Sequence, residues 1–194
     1  ASSTYSRGMT SCIPTFLGLP ALQCLFDTLD CDNAPTIRIV GGAVRNHLLG
    51  VPVKDIDLAT LWTPQEVIEK CKAANLNVFP TGIDHGTVTV VINGTTFEVT
   101  TLRKDVATDG RRAVVAFSKS WAEDAARRDF TVNALYMDRH GEVFDPLGQG
   151  LDDIKASNIR FIGDAATRIK EDALRILRFF RFSALYVRSE IDRS

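Results

Sequence analysis

Cysteine is scarce in this chain. The four present among 194 residues, Cys12, Cys24, Cys31 and Cys71, form no CxxC pair and have no histidine at zinc-ligand spacing. A zinc centre or a disulfide framework is not expected, and the thiols read as reduced cysteines of an intracellular protein. Long apolar runs are missing too: none approaches the roughly 20 residues that cross a bilayer, so no membrane partner is expected. Neither sign of charge dominates. Lys and Arg number 23 against 24 Asp and Glu, a net charge of −1, which excludes coating nucleic acid by bulk charge alone. Repeats and low-complexity tracts are also absent, and 45% hydrophobic residues exclude a disordered chain.

What is present is organised by helix and strand periodicity. Leu19, Leu22, Leu25, Phe26 and Leu29 recur at helical spacing, with Pro20 suited to a first turn. The apolar run Ile37 to Val40 ends at Gly41-Gly42, and Ala43 to Leu49 resumes as a helix that Gly50 stops. Asp55 to Thr60 alternates as a strand. Thr63, Pro64 and Glu66 form a capping box for a helix to about Ala74. Thr87 to Ile92 and Thr96 to Leu102 are strands joined at Asn93-Gly94, a hairpin signal. Arg103 to Ser118 reads as a long polar loop, Trp121 to Ala134 as a helix, and Tyr136 to Phe144 as a hairpin turning at Arg139-His140-Gly141. Beyond Asp145-Pro146-Leu147-Gly148 the pattern is helical, above all from Ala165 to Val187. Three parts are expected: an extension with a leader helix over 1–35, a main domain over 36–146, and the start of a helical domain over 147–194. The Ser- and Thr-rich first dozen residues suit a transit remnant, a disordered extension or a cloning scar.

Chemistry concentrates in four places. In a strand, residues i and i+2 share a face, so Asp55 and Asp57 project together and repel unless a cation lies between them. Hard oxygen donors favour Mg²⁺, although solvated carboxylates at a strand end give the same pattern. Glu98, between Phe97 and Val99, either completes that site from a neighbouring strand or stands on a solvated face. Gly41 and Gly42 remove side chains where backbone amides can approach phosphate, and Arg45 can add bidentate contacts; a tight turn is the alternative. Arg127-Arg128-Asp129-Phe130-Thr131-Val132-Asn133 can hold a ribose and a triphosphate, or be a structural ion-pair network. Asp172, Arg175, Arg178 and Arg181 follow at i+3 steps along one side of a helix, where a carboxylate and guanidinium forks can read a base edge or simply pair with one another in solvent. This last segment is locally basic: Arg160, Arg168, Lys170, Arg175, Arg178 and Arg181 face only Asp164, Glu171 and Asp172.

Taken together, IVGGAVRNHLLGVPVKDIDLAT, RRDFTVNAL and EDALRILRFFRF resemble, in order and spacing over residues 37–184, the class II tRNA nucleotidyltransferase and bacterial-type poly(A) polymerase family. The resemblance implies an α+β polymerase β-like nucleotidyltransferase head, a mixed sheet of about five strands flanked by helices, then the first helices of an all-α neck. It implies that Asp55 and Asp57 hold two Mg²⁺ ions, that Gly41, Gly42 and Arg45 contact triphosphate, and that Arg128 and Asp129 contact ribose. Asp172 and Arg175 would pair with the incoming base, with Arg178 and Arg181 as further nucleotide contacts. The implied partners are CTP, ATP and the tRNA 3′ end, and the implied reaction is addition of CCA. Poly(A) synthesis, partial CC or A addition, and a non-catalytic nucleotide-binding fragment are the alternatives. The loop Arg103 to Ser118 matches the family's flexible loop.

The chain departs from the family at Asn46, where Asp is usual, and it is expected to be shortened after the start of the neck. An apolar helix face at Ile176, Leu177, Phe179, Phe180 and Leu185 would then stand uncovered and favour self-association. A cytoplasmic setting is expected, or a mitochondrial one if the N-terminus is a transit remnant.

Overall fold

The computed structural model describes residues 6–8, 13–31, 34–106, 114–171 and 174–191. In chain order the elements are β1 (Ser6–Gly8), α1 (Pro20–Leu29), β2 (Ile37–Val40), α2 (Gly42–Leu48), β3 (Asp57–Thr60), α3 (Pro64–Ala73), β4 (Asn77–Gly82), β5 (Thr87–Ile92) and β6 (Thr95–Thr101). They continue with β7 (Arg103–Val106), β8 (Val114–Phe117), α4 (Trp121–Ala126), β9 (Tyr136–Met137), β10 (Val143–Asp145), α5 (Gly150–Lys155), α6 (Ala165–Glu171) and α7 (Leu174–Ile191). The fold is α+β. None of the described helices is long and apolar enough to cross a membrane.

The main sheet has eight strands in the order β1-β10-β9-β2-β3-β6-β5-β4, against the expected five or so. Every pairing in it is antiparallel except β3 with β6. The unexpected strands have a physical reason. β4 is an edge strand whose side chains are largely exposed, so it carries no buried alternation, and an edge tolerates Pro80. β1 lies in the N-terminal extension and closes the opposite edge by pairing Ser6 with Asp145 and Gly8 with Val143.

Helix α1 seals one face of the sheet through Leu22, Leu25, Phe26 and Leu29, all essentially without solvent contact. Complete burial of such side chains contributes roughly 1.5–3 kcal/mol each. Pro20 occupies its first turn as expected, and the α3 capping box is formed: the Thr63 side chain accepts from Glu66 N–H while Glu66 Oε2 accepts from Thr63 N–H. The β5–β6 turn is also as read, with Asn93 and Gly94 both at positive φ (50° and 79°) and Ile92 paired with Thr95. The hairpin of β9 and β10 is present, its turn closed by the Asp138 carboxylate, which accepts from His140 and Glu142 N–H.

Three expectations are corrected. The strand read from Asp55 begins at Asp57, so Asp55 precedes the sheet. The polar stretch after Leu102 is not a structureless loop, since β7 and β8 pair as a separate antiparallel ribbon; residues 107–113 lie outside the described residues. The helix from Trp121 ends at Ala126 instead of running to Ala134. There Asp129 draws its carboxylate to Phe130 N–H and Asn133 Nδ2, and Phe130 is pinned by pairing with Phe161.

Phe130 also organises the start of the C-terminal helices. Phe161, Phe179 and Phe182 gather round it, with ring centroids 4.7, 6.3 and 5.6 Å away. Phe179 therefore packs inward, and the expected uncovered face is narrower than the sequence suggests. Among the described large apolar side chains of α7, Leu174, Leu177 and Phe180 are strongly exposed and Ile176 only marginally so. The side chain of Leu185 lies outside the described residues.

Candidate active site

Between β2 and α2 the chain turns at Gly41, which adopts φ +69°, ψ −118°, a conformation that only glycine enters without strain. The turn runs close to the cationic residues: the Cβ position of Gly41 is 3.8 Å from Arg128 Nη1 and 3.6 Å from the Asn133 carbonyl oxygen, ordinary contact distances, so it is the backbone conformation and not crowding that calls for glycine.

Arg45 is 7% exposed and held from several directions. Its Nε and Nη2 donate to Asn46 Oδ1 at 3.2 and 2.9 Å, its Nη1 donates to Asn133 Oδ1, and its guanidinium lies 4.4 Å over the Phe182 ring. Asn46, the position at which the chain departs from the family pattern, thus engages Arg45 through charge-assisted hydrogen bonds. Asn133 Nδ2 donates to Asp129 Oδ1 at 3.1 Å, and Asp129 Oδ2 faces Arg178 Nε at 3.5 Å. One polar chain therefore runs from α2 through the turn after α4 to α7.

These groups border a cavity of about 480 Å³. Gly41, Gly42, Arg45, Arg128 and Asp129 line it from the head, Arg178 and Arg181 from α7, and Asp57 and Glu98 from the sheet. Arg103, at the root of the β7–β8 ribbon, lines it too. Five guanidinium groups outnumber three carboxylates, which suits a ligand carrying several negative charges. Gly41, Gly42, Arg45, Asp57, Glu98, Arg128, Asp129, Arg178 and Arg181 are thus brought together. Arg175 does not line the cavity, and Asp172 lies outside the described residues.

Asp57 and Glu98 are partners in the parallel β3–β6 register, so two carboxylates meet side by side across the sheet. Asp55 lines an adjoining cavity of about 450 Å³, which shares Asp57 and Glu98 with the first. The Asp57 carboxyl is held above the usual carboxylate range, first by desolvation, then by the charges of Glu98 and Asp55, with Arg128 pulling the other way. As they stand, the described residues offer no cluster of three acidic, histidine or cysteine side chains close enough to chelate a metal. The acids are neighbours in mutual repulsion and not a closed cage.

Behind the cavity lies a network that sequence reasoning missed. Asp124, 1% exposed, accepts from Arg128 Nε and Nη2 (3.1 and 2.9 Å), from the Tyr136 hydroxyl (2.7 Å) and from Arg103 N–H (3.0 Å). Burial opposes its charge, but Arg128, Tyr136, Arg103 and Arg127 outweigh burial and hold its carboxyl below the usual range. Burial among these cations pushes Arg103 down to about 10. The one available signal was Asp124 and Arg128 at i,i+4 on a helix, which is commonplace.

Comparison with known proteins adds the following. The family described as the poly(A) polymerase head domain matches residues 37–160. The human protein named CCA tRNA nucleotidyltransferase 1, mitochondrial, is 47% identical over 147 residues, covering 75% of this chain and 34% of its own length. A CCA-adding enzyme of Streptococcus pyogenes serotype M2 is 49% identical over 147 residues, covering 75% and 35%. The chain spans about a third of the length of these relatives. Among solved structures, the Bacillus stearothermophilus CCA-adding enzyme in complex with CTP superposes with a TM-score of 0.70 at 38% identity, over 90% of this chain and 39% of that one. A tRNA nucleotidyltransferase complexed with a primer tRNA and an incoming ATP analogue gives a TM-score of 0.60 at 32% identity, over 76% and 41%.

Proposed function

Since the chain belongs to the poly(A) polymerase head-domain family of class II nucleotidyltransferases, we propose that it carries the catalytic head of an enzyme that adds CCA to tRNA 3′ ends from CTP and ATP. The observation that carries this reading is the cavity in which paired strand carboxylates, Asp57 and Glu98, share a wall with five arginines. Nucleotidyl transfer needs both features together: cations to hold a triphosphate and acids to hold its metal.

The donor set fits Mg²⁺. Asp55, Asp57 and Glu98 are oxygen donors; desolvation and then the charges of Glu98 and Asp55 raise the Asp57 carboxyl, and a divalent cation would relieve that repulsion. Asp55 and Asp57 would hold two Mg²⁺ ions with water and phosphate oxygens completing the shells, and Glu98 stands beside them. When bound, the metal supplies acidity to the attacking 3′-hydroxyl and neutralises charge on the leaving pyrophosphate.

The chain's own residues do the positioning. Gly41 and Gly42 admit the phosphates close to the backbone, and Arg45, braced by Asn46, Asn133 and Phe182, meets them with a guanidinium that cannot swing away. Arg128 and Asp129 receive the ribose side. Arg178 and Arg181 read the base, and Asp172 and Arg175 are assigned to the same task. The setting is one where tRNA is matured, in cytoplasm or mitochondrion, and α7 offers Leu177 and Phe180 for contact with a second copy.

The test incubates the chain with CTP, ATP, Mg²⁺ and a tRNA lacking its terminal CCA. Ordered incorporation is expected, and replacing both Asp55 and Asp57 with Ala should abolish it while circular dichroism stays unchanged. Supplying CTP and ATP separately identifies poly(A) or partial addition. Incorporation by the double variant at the parental rate would overturn the assignment of these carboxylates. Light scattering of the same sample reads self-association, and a monomer at every concentration would rule out the α7 contact.

A further inference from the structure

Asp124 occupies a place the proposed chemistry leaves unexplained. It is an acid 1% exposed behind the nucleotide cavity, and it touches two of the residues that line that cavity. One oxygen, Oδ2, takes Arg128 Nε and Nη2 together with the Tyr136 hydroxyl. The other, Oδ1, takes the backbone N–H of Arg103, the first residue of the β7–β8 ribbon, and lies 3.5 Å from Arg127 Nε. The geometry fixes which end of Arg128 is engaged. Its Nε and Nη2 are turned back to Asp124, and its Nη1 lies on the side of Gly41, another residue of the cavity wall. Arg103 is held at both ends, its N–H by Asp124 and its Nη1 by the His85 carbonyl at 3.0 Å, so its place at the cavity depends on the same carboxylate.

From this we infer that Asp124 is a positioning residue for nucleoside triphosphate binding: through Arg128, and through the backbone of Arg103, it holds two cations at the cavity in the orientation the ligand meets. A guanidinium tethered by two of its nitrogens loses little further freedom when its third binds an anion, which is how preorganisation raises affinity. The inference rests on the nucleotidyl-transfer reading above, because it assumes that the cavity takes a triphosphate.

The test measures the dissociation constant of CTP, with Mg²⁺ present, for the parent chain, Asp124→Asn, Arg128→Ala and the double variant, alongside thermal melting of each. Asp124→Asn keeps the shape and one acceptor but removes the charge, and weakening of about tenfold is expected. In the Arg128→Ala background the same change should alter the constant less than twofold, because its main effect travels through that guanidinium. A purely structural Asp124 would lower the melting temperature and leave CTP affinity of the folded protein unchanged, or would add its full effect to that of Arg128→Ala; either result overturns the inference. Should Asp124→Asn fail to fold, Tyr136→Phe removes one hydrogen bond to the same oxygen and keeps the charge. Weakening of about twofold to fivefold is then expected, and unchanged affinity counts against the inference. A parent chain that binds no CTP would instead overturn the nucleotidyl-transfer reading itself.

Discussion

At Asp57 the fold holds an acid where its ionised form is disfavoured. Its carboxyl is raised by desolvation and by Glu98 and Asp55, so the folded state holds the Asp57 proton more tightly than the unfolded chain does. Ionised Asp57 therefore costs stability at pH values above its raised pKa. That cost disappears as pH falls below the ordinary Asp value of about 3.9. Asp57→Asn is expected to melt at a higher temperature than the parent at neutral pH without divalent cations, the gain fading towards acid pH. Calorimetry across that range checks it, and a lower melting temperature for the variant at neutral pH would refute it. Millimolar Mg²⁺ should stabilise the parent more than the variant, since an ion that binds only the native state shifts the equilibrium by mass action. Asp55 and Asp57 stood out in the sequence as two carboxylates among aliphatic residues, although the strand invoked to align them begins only at Asp57; Glu98 was visible only as one of two readings, since its partnership with Asp57 depends on register across distant strands. Asp124 was not visible at all. Its importance comes from what Arg103, Arg128 and Tyr136 bring to it, and no local pattern encodes that convergence.

At the level of elements, capping and turn chemistry were readable wherever the cause is local. Thr63 with Glu66, Asn93-Gly94 and Pro20 each specify backbone geometry by themselves. The errors fell where tertiary contact decides. β4 forms because β5 offers an unpaired edge to a segment with little strand character, and α4 stops early because Asp129 and Phe130 find partners elsewhere. The β7–β8 ribbon belongs to this second group. It is anchored at its root by Ser118 N–H on the Leu102 carbonyl, by Arg103 on His85 and Asp124, and by the Phe117 ring lying against Gly86, close enough that a Cβ there would meet it at 2.8 Å. Phe117 is 47% exposed, so its truncation removes little core. Phe117→Ala is accordingly expected to shift the melting temperature by less than about 4 °C, equivalent to roughly 1 kcal/mol for a chain of this size. It should also speed amide exchange at Lys104 and Val106, whose N–H groups face β8, by an order of magnitude or more. Unchanged exchange at those amides would show that the ribbon does not depend on the ring.

For the molecule as a whole, the motif order in the sequence anticipated an α+β head followed by helices, and the aromatic group around Phe130 explains how the two are joined. The sheet's width was not readable, because both of its edges are made from short or polar segments. The single parallel pairing in that sheet has a kinetic consequence. Hairpins such as β5–β6 close from neighbours in the chain, whereas β3 can meet β6 only after α3, β4 and β5 have been laid down between them, and such non-local closure is slow. Asp57 and Glu98 become neighbours in that last step. Refolding from denaturant should therefore restore far-ultraviolet ellipticity before it restores affinity for CTP, and simultaneous recovery in stopped-flow experiments would argue that β3 and β6 pair early. During that interval the chain would hold most of its secondary structure without yet having assembled its pair of acids.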